Sequence, residues 1–387
     1  MNTLLNPPDS DLVAALGQVM LHGASDLHIT ANSPPMLRVD GSLQPVENMD
    51  CWLEEKSESA LFSILTPSQK EIFQHELELD FSYMLADGTR FRVNLYHQQG
   101  AVGGAFRIIP SEIAPLHKLG IPESVGNFAQ LPRGLVLVTG PTGSGKSTTI
   151  AALIDLINRT RAEHIVTVED PVEFLHHHKK SIVNQREVGS DTHSFTAALK
   201  HVLRQDPDVI LIGELRDLET ISVALTTAET GHLVFATLHT QDASQTIDRV
   251  IDVFPPHQQE QVRTQLAATL RGVVCQTLVK SASGKGRVVA TEILVTTPAI
   301  SNLIREGKTY QIVSMMQAGR AQGMNTMDQH LAELVKSNAI TYQAATEKAH
   351  DLAGLINLLK GFDSRESGSR NANAPIDFGD SFSTQAR

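Results

Sequence analysis

The stretch Gly140-Pro141-Thr142-Gly143-Ser144-Gly145-Lys146-Ser147 has the residue types and spacing best suited to chemistry in this chain. Its glycines let successive backbone N–H groups curl toward a polyphosphate, and a helix starting directly behind them turns the positive end of its dipole to the same anion. Lys146 is placed to pair with the outer phosphates and the Ser147 hydroxyl to ligate Mg²⁺; with Thr148 these residues form the candidate nucleotide-binding set. The spacing G-x-x-x-x-G-K-[ST] has this meaning only between a strand and a helix. Here the apolar run Leu135–Thr139 precedes it, and an amphipathic stretch with Ile150, Leu153 and Ile157 follows.

A phosphate cradle holds a nucleotide without breaking it, so carboxylates matter next. Glu214 ends the apolar run that starts at Asp208, and the C-terminal end of such a strand is where open α/β sheets bind ligands. There it suits holding Mg²⁺ directly or through water; its other reading is a residue that opens the following helix. Glu169, Asp170 and Glu173 cluster where Pro171 stops another strand, a placement that suits orienting an attacking water, or else a solvated acidic turn. His232 and His239 bracket the run Leu233–Leu238 from opposite ends, so they cannot clamp one metal together. His239, at the C-terminal end, is placed to sense the γ-phosphate, or else packs as a cap. The run His176-His177-His178 reads more readily as a solvated loop than as a metal site. Earlier in the chain, Arg90, Arg92 and Asn94 share one strand face opposite Phe91, Val93 and Leu95, with Arg107 on a neighbouring run. Guanidinium groups gathered on one surface suit phosphate recognition, and equally form an ordinary charged sheet face.

These groups need elements to position them. Residues 11–22 have a helical apolar rhythm, and short extended runs follow at Asp26–Thr30, Met36–Val39 and Ser42–Val46, the last two joined by Asp40-Gly41. Alternation at Leu79, Phe81, Tyr83 and again at Phe91, Val93, Leu95 flanks Asp87-Gly88, and a further run covers Ala105–Ile109. With helices expected near 53–64 and 67–76, residues 1–109 read as a compact α+β domain. Pro110, Pro115, Pro122 and Pro132 then favour an extended interdomain connector over 110–133. From Gly134 the runs Leu135–Thr139, His164–Val168, Val209–Ile212 and Leu233–Leu238 alternate with helical stretches, the pattern of a mostly parallel sheet covered on both faces. Helices are expected over 215–230, 299–305, 310–316, 327–336 and 342–350, so this second domain runs over 134–361. The polar stretch 362–387 has little to bury and reads as a disordered tail.

At 387 residues the chain has room for two to three domains, and 41% hydrophobic with 19% charged residues excludes collagen-like, wholly disordered and disulfide-framework classes. A net charge of −11 argues against a nucleic-acid translocase, and the lack of an evident aromatic stacking platform points the same way. The 2 cysteines, Cys51 and Cys275, have neither a zinc nor a framework spacing and fit structural thiols in a reducing compartment. No apolar run spans a bilayer and the N-terminus lacks signal-peptide order, so a cytosolic protein that meets a membrane only through a partner is expected.

Taken together the motifs resemble the secretion ATPase superfamily, most closely its type IV pilus retraction branch, from Gly23 to about residue 350. Gly140–Ser147 is similar to its Walker A box, Val168–Glu173 to its Asp box, Leu203–Asp217 to its Walker B region and Gly231–Ala243 to its His box. The resemblance implies a PAS-like N-terminal domain joined to a RecA-like motor domain with helical C-terminal part, and a homohexamer that binds ATP and Mg²⁺. It implies that Arg90, Arg92 and Arg107 reach ATP as the domains close, that Glu173 activates water with Glu169 as the alternative, and that Glu214 holds Mg²⁺. It further implies a motor at the cytoplasmic face of the inner membrane that drives pilus retraction and twitching motility through a platform protein. The segment Ala299–Glu306 is similar to one associated with retraction, with Ser301 where that family usually has Arg. Two alternatives stay open: a pilus assembly or type II secretion ATPase, and an accessory paralogue that conditions another retraction motor.

Overall fold

The computed structural model describes residues 7–39, 41–110 and 112–360. Asp40 of the first expected turn, and the tail expected over 362–387, lie outside the described residues.

The chain builds two sheets in succession. The first takes β1 (Asp26–Ile29), β2 (Met36–Val39), β3 (Ser42–Pro45), β4 (Glu78–Met84), β5 (Arg90–Gln98) and β6 (Ala101–Ile109) in the order β3-β2-β1-β6-β5-β4. Every neighbouring pair is antiparallel. Gly88 turns β4 into β5 at φ 89°, a left-handed backbone that glycine adopts without strain. Helices Ser10–Leu21, Glu54–Phe62 and Pro67–Glu76 accompany this sheet. Asp9 caps the first through the amides of Asp11 and Leu12, and Thr66 with Gln69 forms a capping box on the third. Leu12, Leu16, Leu61 and Phe73 pack with Leu27, Leu37, Phe91 and Phe106 in one apolar cluster. The period of two leaves the alternate side chains, Arg90 and Arg92 among them, on the other face.

The expected extended connector is instead a series of short helical turns, Leu116–Leu119, Glu123–Gly126 and Asn127–Gln130. Pro115 and Pro122 stand just ahead of two of these turns, where a missing N–H costs nothing. Between Pro122 and Pro132, Val125 and Phe128 have apolar surface to bury, and they pack with Val136 and Ile154 of the second sheet and its helix.

That sheet contains β7 (Gly134–Thr139), β8 (His164–Glu169), β9 (Ile182–Glu187), β10 (Val209–Ile212), β11 (Leu233–Leu238), β12 (Leu270–Lys280) and β13 (Arg287–Val295). Its order is β13-β12-β7-β11-β10-β8-β9, parallel throughout except for the β12–β13 pair. Alternate residues of the central strands feed two cores: Leu135, Val166, Ile210 and Val234 enter one, and Val136, Ile165, Leu211 and Phe235 the other. The fold is thus α/β around a parallel sheet, with strand ends β7, β8, β10 and β11 opening along one edge.

The C-terminal helices include Pro298–Arg305, Ile312–Ala318 and Met327–Lys336. The expected helix over 342–350 stops at Thr346 and a further one covers Leu352–Leu359. Between them the Asp328 carboxylate accepts the amides of His350 and Asp351 at 2.9 and 3.0 Å, which turns the chain. Among the described residues no helix is long and apolar enough to cross a membrane.

Candidate active site

The loops at that edge line a cavity of about 880 Å³, and the far wall comes from the first sheet. Thr142, Gly143, Gly145, Lys146, Ser147, Thr148, Glu169, Glu173, Glu214, His239, Arg92 and Arg107 all reach it. Arg90, Gly140, Pro141 and Ser144 stand outside its lining.

The glycine-rich loop between β7 and the helix Lys146–Thr160 is shaped by backbone sterics. Gly140 sits at φ 140°, and a Cβ there would lie 2.2 Å from the Gln276 carbonyl oxygen of β12. Gln276 also donates from Nε2 to the Ser144 carbonyl at 2.8 Å, which pins the loop from the neighbouring strand. Pro141 and Gly140 contribute their carbonyls: the Lys146 ammonium donates to Gly140 at 2.8 Å and Pro141 at 3.1 Å. Burial pushes the Lys146 pKa below its ordinary value, and Glu214 and Glu173 pull it part of the way back.

Glu214 follows β10 and does not open the next helix; Asp217 caps that helix, Leu218–Glu229, instead. Glu214 accepts from Arg216 Nε at 2.7 Å and lies 3.1 Å from His239 Nε2. Parallel pairing of β10 with β11 brings these two side chains together, because both leave the same end of the sheet. His239 Nδ1 in turn lies 3.5 Å from Lys146 Nζ, so one imidazole spans the phosphate loop and the Glu214 carboxylate. His232 faces away at the other end of β11, its Nδ1 3.1 Å from the Thr227 carbonyl.

The two Asp-box glutamates differ in environment. Glu169 ends β8 and accepts from Thr167 Oγ1 at 2.6 Å and Gln185 Nε2 at 3.2 Å. Burial raises its pKa, an effect those two donors only partly offset. Glu173 is exposed on the loop beyond Pro171 and also lines the cavity. Of the pair it is the more exposed carboxylate.

Strand register sets the arginines. Arg92 on β5 pairs directly with Arg107 on β6, and Arg107 with Asp26 on β1. Like charges directly opposite repel, so this row is tolerable only with counter-charge nearby. Asp26 supplies one: its carboxylate accepts from Arg107 Nε at 2.7 Å and from Ser25 Oγ at 2.7 Å. Burial alone would raise the Asp26 pKa, but the Ser25 and Arg107 bonds lower it overall. Arg90 leaves this row. Its Nη2 donates to Glu187 Oε2 on β9 at 2.7 Å, because the sheets approach closely there and the nearer carboxylate captures it.

The run at 176–178 departs from a solvated loop at one position. His176 lines the cavity, burial pushes its pKa down to about 4, and its Nδ1 is buried without a hydrogen-bond partner among the described residues. Arg216, Arg287, Phe174 and Phe195 also line the cavity and were not anticipated. Of these only Arg216 had a local signal, two positions after Glu214 on the same loop.

Residues 6–360 match the family described as Type II/IV secretion system protein. The chain belongs to that family. Within the Type II/IV secretion system proteins it is similar to the type IV pilus retraction ATPase PilT of Pseudomonas aeruginosa, at 49% identity over 88% of this chain and 98% of the relative. It is 41% identical to the type IV pilus ATPase PilU of the same organism, over 87% of this chain and 88% of that one. A crystal structure of the pilus retraction motor PilT with bound ADP superposes with a TM-score of 0.84 at 46% identity, covering 88% of this chain and 98% of that one.

Proposed function

We propose that the chain is an ATP-hydrolysing motor subunit that powers type IV pilus retraction. One observation carries this: a phosphate loop, two acidic strand ends and the arginines of a separate sheet converge on one cavity, in a chain alike over its length to a retraction ATPase. On this reading the polyphosphate lies on the amides of Gly143–Thr148, with Lys146 exchanging its carbonyl partners for phosphate oxygens. Glu173 takes a proton from the attacking water as that oxygen bonds to the γ-phosphorus. The bond to the bridging oxygen breaks, and ADP and phosphate leave. Arg92 and Arg107 stabilise the charge on the transferring group from the opposite wall. Glu169 shapes the Asp-box loop from inside the fold.

The donors fit Mg²⁺. Among the described residues no three His, Cys, Asp or Glu side chains form a metal cage. Mg²⁺ in nucleotide sites takes few protein ligands, keeping waters and phosphate oxygens for the rest. Ser147 and, directly or through water, Glu214 would hold it, and when bound it supplies positive charge to the β- and γ-phosphate oxygens.

The same proposal makes the first sheet with its helices a PAS-like unit and the second a RecA-like one, joined across 110–133. It assembles six copies at the cytoplasmic face of the inner membrane, against a platform protein. A second reading, an accessory subunit beside a paralogous motor, is favoured by Ser301 on the helix Pro298–Arg305. The stand-alone ATPase rate separates the two. The decisive test is retraction of fluorescently labelled pili in cells lacking this protein, complemented with wild type or Lys146→Ala. Restoration by wild type alone is expected, with ATP turnover by Lys146→Ala abolished; restoration by both would overturn the motor role.

A further inference from the structure

We propose that Glu187 is a positioning residue that couples the arginine-bearing sheet to the loop carrying Glu173, with Arg90 as its lever. Glu187 ends β9 and is 3% exposed. Its Oε1 accepts from Ser82 Oγ at 2.8 Å and from Ser190 Oγ at 3.3 Å. Its Oε2 accepts from Arg90 Nη2 at 2.7 Å and from the Val172 amide at 3.0 Å. Ser82 lies on β4 and Arg90 on β5, so one buried carboxylate joins two strands of the first sheet to the Asp-box loop of the second.

Removing one partner of a buried ion pair leaves an uncompensated charge, which costs far more than the pair gains over an apolar substitute. If the first sheet withdraws, Glu187 loses the only cation paired with it among the described residues and must turn to find water or another donor. The Val172 amide shares the same oxygen, and a buried amide needs an acceptor. Val172 lies between Pro171 and Glu173, and its own side chain is 1% exposed, so a shift of that amide moves the backbone from which Glu173 projects. β9 is also in register with β8 through Glu187 and Glu169, so the pull reaches both glutamates of the box. Arg90 therefore acts at a distance, through Glu187, where Arg92 and Arg107 act from the cavity wall. This deepens the assignment of Glu173 above and rests on it.

The test uses the full chain, with phosphate release for turnover and a fluorescent ATP analogue for affinity. Arg90→Ala is expected to lower kcat about 10- to 100-fold, the scale of a misplaced reacting group, while nucleotide Kd stays within about twofold. Arg90→Lys, which keeps the charge, recovers part of the loss. In a Glu173→Gln background Arg90→Ala has no further effect, because both act through the same group. Glu187→Gln reproduces the Arg90→Ala defect; should it not fold, the Arg90 series stands alone. Undiminished kcat in Arg90→Ala, a Kd weakened as much as kcat, or multiplicative losses with Glu173→Gln would overturn the coupling. Lys146→Ala measured beside them separates the two readings. If it too keeps wild-type turnover, the ATPase assignment fails; if it alone is inactive, only the coupling fails.

Discussion

The two walls of the cavity are built on opposite principles. The parallel sheet presents strand ends, and its chemistry sits on loops whose backbone is shaped by glycines and pinned by neighbours such as Gln276. The antiparallel sheet presents a face, and its chemistry sits on side chains in the middle of strands, where register decides which guanidinium meets which carboxylate. A backbone-built wall is fitted to hold a polyphosphate and tolerates little change of shape. A side-chain-built wall tolerates change of shape and is sensitive to charge. The two walls thereby divide the cavity between parts of the chain that fold around separate apolar cores.

Substitutions can break that division, beginning with the largest effect. Arg107→Ala removes a charge from the reacting group, and a transition-state arginine contributes on the order of 10³ or more in rate, so turnover should fall by that factor with nucleotide still bound. Wild-type turnover would remove Arg107 from the reaction. Gly140→Ala attacks the other wall: its Cβ would press on the Gln276 carbonyl at 2.2 Å from a φ of 140°. Overpacking and backbone strain together should cost roughly 3 kcal/mol in denaturant unfolding, with loss of nucleotide binding. An unchanged midpoint would mean the loop is not pinned as described.

The smallest effect sharpens the boundary between the walls. Burial moves the His176 pKa from 6.5 to about 4 in the folded chain, with Asp155 opposing and Lys179 and His177 adding to the shift. Because the folded value is the lower one, the unfolded chain binds the extra proton first. The stability from a neutral His176 is thus complete above pH 6.5 and is lost progressively as pH falls toward 4. Between pH 7 and pH 5 this amounts to about 2 kcal/mol. His176→Gln should flatten that part of the pH profile by the same amount in urea titrations; an unaltered slope would show that His176 meets solvent.

The loop-built wall was the more legible one. Gly140–Ser147, Glu214 and the Glu169–Glu173 cluster are local strings, and local strings keep their meaning without knowledge of the fold. The central strands β7, β8, β10 and β11 were readable for a related reason, as short apolar runs bounded by turn residues. β12 and β13 were not, because Gln276-Thr277 and Thr291-Glu292 interrupt their apolar runs. β9, with Asn184, Gln185 and Arg186 in its middle, has no apolar pattern at all. Alternation correctly placed Arg90 beside Arg92 on one face. It did not show that the nearest carboxylate to Arg90 would be Glu187, far along the chain on the other sheet. The prolines of 110–133 suggested an extended connector, and conveyed neither its short helical turns nor the burial of Val125 and Phe128 between Pro122 and Pro132.

The facing pair of Arg92 and Arg107 has a consequence for how force is made. With Asp26 as the one carboxylate bonded to Arg107 among the described residues, the row carries more positive than negative charge, and on the proposed reading a polyphosphate is the counterion that balances it. Each turnover removes part of that counterion as phosphate. On the proposed reading, the attraction between the two sheets would rise and fall with the chemical state of the ligand, and the arginine row would work as an electrostatic clutch.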